Sequence, residues 1–267
     1  MLLHVEHVTR YAYDRPVRTV LQSHRLTPSR FDGQKMRDWQ VTVTGGLPGG
    51  SFRDGAGDLV QGWSVAGPVD AVEVRVAGTV ETFDLTGVLR GHREAVAPEV
   101  YLIETEPTKV DSGLLALGRG AAGEGLALAH ALSERVADAI VYAPGTTDAE
   151  TSAAQALARG MGVCQDHAHA LIAVARVAGL PARYVSGYLY ATADGSLHEA
   201  AHAWAEVYLQ GLGWVGFDPA NRCCPDDRYI RLGSGFNAQD AAPIRGISRG
   251  GSHENLSVTV AVQSVQQ

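Results

Sequence analysis

The chain has 267 residues, 45% of them hydrophobic, with 22 Lys+Arg against 29 Asp+Glu and a formal net charge of −7 at pH 7. That length suits one large domain or two ordinary ones with a core that needs no staples, and the acidic balance argues against the basic footprint of a nucleic-acid binder. Three cysteines, with Cys164 remote from the adjacent Cys223 and Cys224, form no disulfide framework and point to a reducing, cytoplasmic setting. Residues 1–7 lack a basic region followed by a long apolar run, and no stretch reaches the length of a membrane span, so no membrane partner is expected.

Residues 1–98 read as an all-β, sandwich-like domain of short antiparallel strands. Apolar and polar residues alternate through 3–8, 39–44 and 72–76, the period-2 pattern of half-buried strands. Glycine-rich punctuation at 45–50 and 55–58 separates them. Near Pro98 the composition changes, and residues 112–120 and 124–140, rich in Ala, Leu and Glu with apolar recurrence, predict helices. Residues 141–147 contain Pro144-Gly145 and form a turn-bearing connection. Thr151 or Ser152 then caps a short helix through Leu157. Residues 183–190 and 202–209 read as strands, and 210–213 turn the second into 214–218 as a hairpin. Residues 233–254 look loop-like, and 256–262 alternate as a final strand of undetermined destination. The result is an α+β chain: a β domain over 1–98, a mixed core over 99–232, and a C-terminal loop and strand over 233–267.

The chemistry gathers at Cys164, which follows the tight run Gly160-Met161-Gly162-Val163. From it Ala168, Leu171, Ile172 and Ala175 recur at helical spacing, and the helix ends near Gly179, ahead of Pro181. Free N–H groups and the positive end of the dipole at a helix start stabilise a thiolate. A sulfur nucleophile also needs a base, and the base needs a third group to fix its tautomer. His202 opens one strand of the hairpin and Asp218 closes the other. If Leu209 lies opposite Gly213, Trp204 faces Asp218 and His202 is its diagonal neighbour on the same face. If Leu209 faces Trp214 instead, Asp218 falls on the other face and only a bulge could reunite the pair.

Four segments, GVCQDHAH at 162–169, GLPARYVSGY at 179–188, HAWAEV at 202–207 and WVGFDP at 214–219, resemble the bacterial transglutaminase-like superfamily. VEHVTRYAY at 5–13 resembles the β domain that commonly precedes such cores. The resemblance implies a papain-like core, a Cys-bearing helix packed on an antiparallel sheet, with Cys164 as nucleophile, His202 as base and Asp218 as orienting acid. It implies acyl transfer from a peptide or protein amide through a thioester. Water as acceptor gives a protease or amidase and an amine gives crosslinking; hydrolysis is expected, since water is always available and no amine site is legible. Animal transglutaminases place a tryptophan upstream of the nucleophile to help hold the oxyanion, but Trp39, Trp63, Trp204 and Trp214 are the four tryptophans here. Tyr142 is the candidate substitute, with the Cys164 backbone N–H as the second donor. No calcium loop is recognisable, and no cofactor or metal is expected.

Other readings attach to the same residues. A non-catalytic peptide-binding module would keep the scaffold without the chemistry. A metal site could use Cys164, His167, His169 and His198, although that cluster lacks any zinc spacing and positions i and i+2 of a helix diverge. Gln165, His167 and Trp204 are possible cleft-lining residues, with His167 partly exposed and His169 in the core. Asp166 complements the helix dipole, and Cys223 and Cys224 read as core or surface thiols.

Overall fold

In a computed structural model, which describes residues 1–190, 200–250 and 253–265, the opening alternation continues well past residue 8. The first four strands are β1 (Leu2–His24), β2 (Gln34–Val43), β3 (Gly46–Arg53) and β4 (Leu59–Thr82). β1 and β4 are far longer than the sequence pattern suggests because each changes parity midway. Along β1 the buried positions are Leu3, Val5, His7, Thr9, Tyr13 and Val17, then Val20, Gln22 and His24. The switch from odd to even coincides with register shifts against β4 between Ala12 and Val17 and between Val17 and Thr19. A bulge turns the side chains that follow to the other face, and here it folds the long pair so that both halves line one core. Leu3, Val5, Val74, Val76 and Val80 come from one half, Val17, Val20 and Val65 from the other. β2 pairs with the later part of β4 and β3 with the earlier part.

Residues 83–90 cross to the second half of the molecule, where the Leu89 N–H donates to Trp214 O and the Gly216 N–H to Gly87 O, each at 2.9 Å. Helix α1 (Ser112–Arg119) is capped by Asp111, whose carboxylate accepts from the Leu114 N–H at 2.8 Å. After it come α2 (Gly125–Ala139), β5 (Val141–Tyr142), α3 (Ala153–Arg159), β6 (Met161–Gly162) and α4 (Cys164–Val177). Ser152 caps α3 through a reciprocal pair with Gln155. Four antiparallel strands, β7 (Ala182–Leu189), β8 (Ala201–Leu209), β9 (Gly213–Phe217) and β10 (Tyr229–Gly235), are ordered β10-β7-β8-β9. α4 lies between β7 and β8 on one side and α1, α2 and α3 on the other. Ala168 and every residue from Ala170 to Ala175 are therefore fully buried. Burial of Leu171, Ile172 and Val174 stabilises the core by about 1.5–3 kcal/mol each, and the intervening alanines let the neighbouring elements approach.

The segment expected to be loop-like contains two stretches of strand: the end of β10, and β11 (Ile244–Arg249). Both are poor in apolar residues, so neither shows the alternation that marks a strand in sequence. β11 pairs with the second half of β1, and β12 (Glu254–Ser264) pairs with its first half, so the chain ends in the sheet where it began. Among the described residues no helix is long and apolar enough to cross a membrane.

Candidate active site

The turn before Cys164 is built from small residues for steric reasons. Gly160 ends α3 with φ at 65°, a left-handed conformation that glycine adopts without strain. A side chain on Gly162 would meet the Asp166 carboxylate at 2.7 Å. Asp166 does more than complement the helix dipole: fully buried, its Oδ2 accepts from the Val163 N–H at 2.8 Å and from the Thr147 hydroxyl at 2.6 Å. It thus ties the 143–149 loop to the start of α4. The short parallel pair β5–β6 sets Tyr142 opposite Gly162.

These constraints place the half-buried Cys164 thiol on a groove of about 580 Å³ lined by Tyr142, Thr147, Asp148, Gln165 and Ala201 among others. Gln165 lines it as expected, its amide N–H donating to Ala149 O at 3.3 Å. His167 does not. It is 1% exposed, and its ring nitrogens lie 2.9 and 2.8 Å from the carbonyl oxygens of Val163 and Ile140, so it joins the first turn of α4 to the end of α2. His169 is a core histidine: its Nε2 accepts from the Ala238 N–H at 3.0 Å, and burial pulls its pKa down to about 4. His198 of the conjectured metal cluster lies outside the described residues. Among those described, no group of three His, Cys, Asp or Glu side chains could hold a metal ion.

On the sheet, Leu209 pairs with Gly213 and Ala205 with Phe217, the first of the two registers considered. It brings the pair together without a bulge, and His202 Nε2 lies 2.6 Å from Asp218 Oδ2. Both are buried. Burial alone would lower the His202 pKa, but hydrogen bonds to Asp218 and to Cys164 outweigh it and raise the group to about 10. Nε2 is the ring nitrogen engaged by Asp218, and the Cys164 thiol is the other side chain acting on the imidazole. Burial works against the Asp218 charge too, yet bonds from His202, Asn221 and Tyr229 hold its carboxyl below the usual range.

Two of those partners escaped sequence reasoning. The Asn221 amide donates to Asp218 Oδ2 at 2.7 Å and its backbone N–H to Oδ1 at 3.2 Å, while the Tyr229 hydroxyl donates to Oδ2 at 2.8 Å. Asn221 follows Asp218 by three residues, the spacing at which an Asp commonly caps its own turn. Tyr229, on β10, carries no such signal. Trp204, a second expected cleft residue, is only 3% exposed and stands behind the site, stacked on His202 with centroids 6.4 Å apart and edge-on to Tyr229. It supports the imidazole without lining the groove. Cys223 and Cys224 are free, and burial pushes both thiols up, Cys224 to about 11.

Comparison with known proteins bears on the family and the fold. The transglutaminase-like superfamily matches residues 117–219, and the bacterial transglutaminase-like N-terminal region matches residues 3–81. An uncharacterized protein of Mycobacterium leprae is 29% identical over 280 residues, covering 97% of this chain and 98% of its own. A protein-glutamine gamma-glutamyltransferase of Pseudomonas aeruginosa is 36% identical over 75 residues, 24% of this chain and 11% of that protein. The fold matches a crystal structure of a "putative cysteine protease" from Cytophaga hutchinsonii with a TM-score of 0.74 and 21% identity, covering 100% of this chain and 92% of that one. The two family models together span more than half of the chain, which belongs to the transglutaminase-like superfamily and carries its bacterial N-terminal region.

Proposed function

We propose that the protein is a cysteine-dependent acyl-transfer enzyme acting on amide bonds of peptides or proteins, with hydrolysis as its main outcome. Membership of the family supports a papain-like thiol enzyme in general. The observation that carries the specific assignment is the buried His202–Asp218 pair at 2.6 Å, set behind a thiol that opens both a helix and a groove. An imidazole raised to about 10 is an imidazolium at neutral pH, the state that accompanies a thiolate.

The Cys164 thiolate adds to the amide carbonyl carbon, and the π electron pair moves to oxygen, where the Cys164 backbone N–H and the Tyr142 hydroxyl donate to it. Collapse breaks the C–N bond. The departing amine takes the imidazolium proton of His202, leaving a thioester and a neutral imidazole. That imidazole then removes a proton from water as it attacks the thioester, and the carboxylic acid leaves with the thiolate restored. A primary amine in place of water would yield a new amide. Asp218, hydrogen-bonded to Nε2, fixes the ring orientation throughout.

Digestion of denatured protein mixtures, scored in parallel for new amino termini, released ammonia and incorporation of a fluorescent primary amine, tests the proposal. New amino termini or ammonia that vanish in Cys164→Ala are expected. Turnover that survives Cys164→Ala would remove the assignment, and amine incorporation in excess of hydrolysis would reverse the preferred acceptor.

A further inference from the structure

The outer edge of the β domain consists of two strands laid end to end along β1 that meet solvent very differently. β11 carries Arg245 and Arg249, whereas residues 255–264 of β12 include no charged residue and no proline. Charge and proline are the usual protection of an exposed edge, and a long uncharged edge is a template for another strand.

β12 pairs with β1 in one unbroken register from Leu3 opposite Ser264 to Tyr13 opposite Glu254. At its two ends the Asp14 N–H donates to His253 O at 3.1 Å and the Val265 N–H to Leu2 O at 2.9 Å. Odd-numbered residues of β12 therefore turn their backbone polar groups toward β1. By antiparallel alternation, those of the even-numbered residues 254–264 point away from β1, on the side where no described strand pairs. The even positions also carry Leu256, Val258, Val260 and Val262 on a single face of the strand. Val260 and Val262 pack against the β-domain core, while Leu256 and Val258 remain 58% and 50% exposed.

We propose that this edge pairs with the same edge of a second copy of the chain, antiparallel about a two-fold axis at Thr259. In that register Leu256 faces Val262 of the partner subunit and Val258 faces Val260 of the partner subunit, both as hydrogen-bonded pairs. The apolar face then runs unbroken from one core to the other. Thr259 meets Thr259 of the partner subunit in a non-hydrogen-bonded pair, where opposed Cα atoms approach to about 4.5 Å. Glu254 falls opposite Ser264 of the partner subunit, so no like charges meet. A one-residue slip would oppose outward-pointing backbone groups with inward-pointing ones. A two-residue slip would set Glu254 or Ser264 against an apolar side chain. The self-complementary pattern fits a second copy, an isologous contact in which one patch serves both subunits.

Analytical ultracentrifugation of the intact chain, combined with disulfide trapping, tests the proposal. Wild type is expected at twice the chain mass of 28.2 kDa. Val258→Lys, at a half-exposed position, is expected to sediment at the monomer mass with an unchanged circular dichroism spectrum. Under mild oxidation Thr259→Cys forms a 259–259 disulfide identified by peptide mass, whereas Ser257→Cys, opposite Ala261 of the partner subunit, gives no 257–257 link. A monomeric wild type overturns the proposal, as does a dimer that tolerates Val258→Lys or in which Thr259→Cys fails to crosslink. Should Val258→Lys fail to fold, the Thr259→Cys trap decides alone.

Discussion

Two buried charge clusters grow from the same face of β8, at His202 and at Glu206, and they are built on opposite principles. The Glu206 cluster is closed. Its carboxylate accepts from Arg183 Nε at 2.7 Å and Arg231 Nε at 2.8 Å; Arg231 continues to Asp58 at 2.6 Å, and Arg183 to Glu94 at 2.5 Å. Asp58 also receives hydrogen bonds from Ser29 and Ser234. Burial would raise the Glu206 pKa, but Arg231 and Arg183 hold it down to about 2. The guanidinium charges are permanent, so this cluster acts as a fastening between the core sheet and the β domain. The His202 cluster is open. Its cation is titratable, and one side of its imidazole faces a thiol on a groove. One strand thus buries charge once for fixity and once for reactivity, and what marks the difference is a network of permanent charges in one case and a titratable group beside a groove in the other.

The largest effect that sharpens this contrast is on turnover. Cys164→Ala and His202→Ala should each lower kcat/KM by at least about 10³-fold; Cys164→Ala should leave Tm nearly unchanged, whereas His202→Ala, which strips the buried Asp218 of its partner, should also lower Tm, as measured by steady-state kinetics and calorimetry. The reverse pattern belongs to the closed cluster. Arg231→Met removes the ion-pair partner of the buried Asp58 and leaves Glu206 with Arg183 alone, and should cost about 3–5 kcal/mol of stability, read by urea denaturation, while turnover per folded molecule persists.

A third effect separates the clusters by pH. His202 is raised in the folded state, so the stabilisation of its charged form is fully present below its ordinary pKa of about 6.5 and is lost as pH rises through about 10. The Tm gap between wild type and Asp218→Asn should therefore be wide at pH 6 and narrow above pH 10. With that carboxylate gone the imidazolium loses its main support, and the alkaline limb of the pH–rate profile should move to lower pH. Smallest of the four, Tyr229→Phe removes one hydrogen bond to Asp218 worth about 1 kcal/mol; kcat should fall about tenfold or less, and the alkaline limb should move slightly down.

Sequence alone went furthest where local geometry leaves few choices. The turn between Leu209 and Gly213 allows two registers, and only one puts His202 and Asp218 on a common face without a bulge. Cys164 was legible because the glycine-rich run before it and the apolar recurrence after it locate a helix start. Asn221 and Tyr229 were not. One sits on a loop, and the other on β10, whose glycines, serine and arginine hide its strand character. His167 was misplaced because helical spacing gives a face without saying what covers it; the covering group is the Ile140 carbonyl at the end of α2. The strand at 256–262 was visible by its alternation, but its neighbour, β1, lies at the opposite end of the chain and no local signal names it.

The account rests on coupling between the thiol and the imidazole, and peptide-mapped alkylation of Cys164 as a function of pH tests it most directly. Cys223 and Cys224 serve as internal controls, since burial keeps both thiols protonated at neutral pH. The account predicts that in the wild type Cys164 alone is labelled rapidly at neutral and mildly acidic pH, and that His202→Ala slows its labelling to the level of the two controls. A Cys164 as inert as its neighbours, or one labelled equally fast without the imidazole, would contradict it.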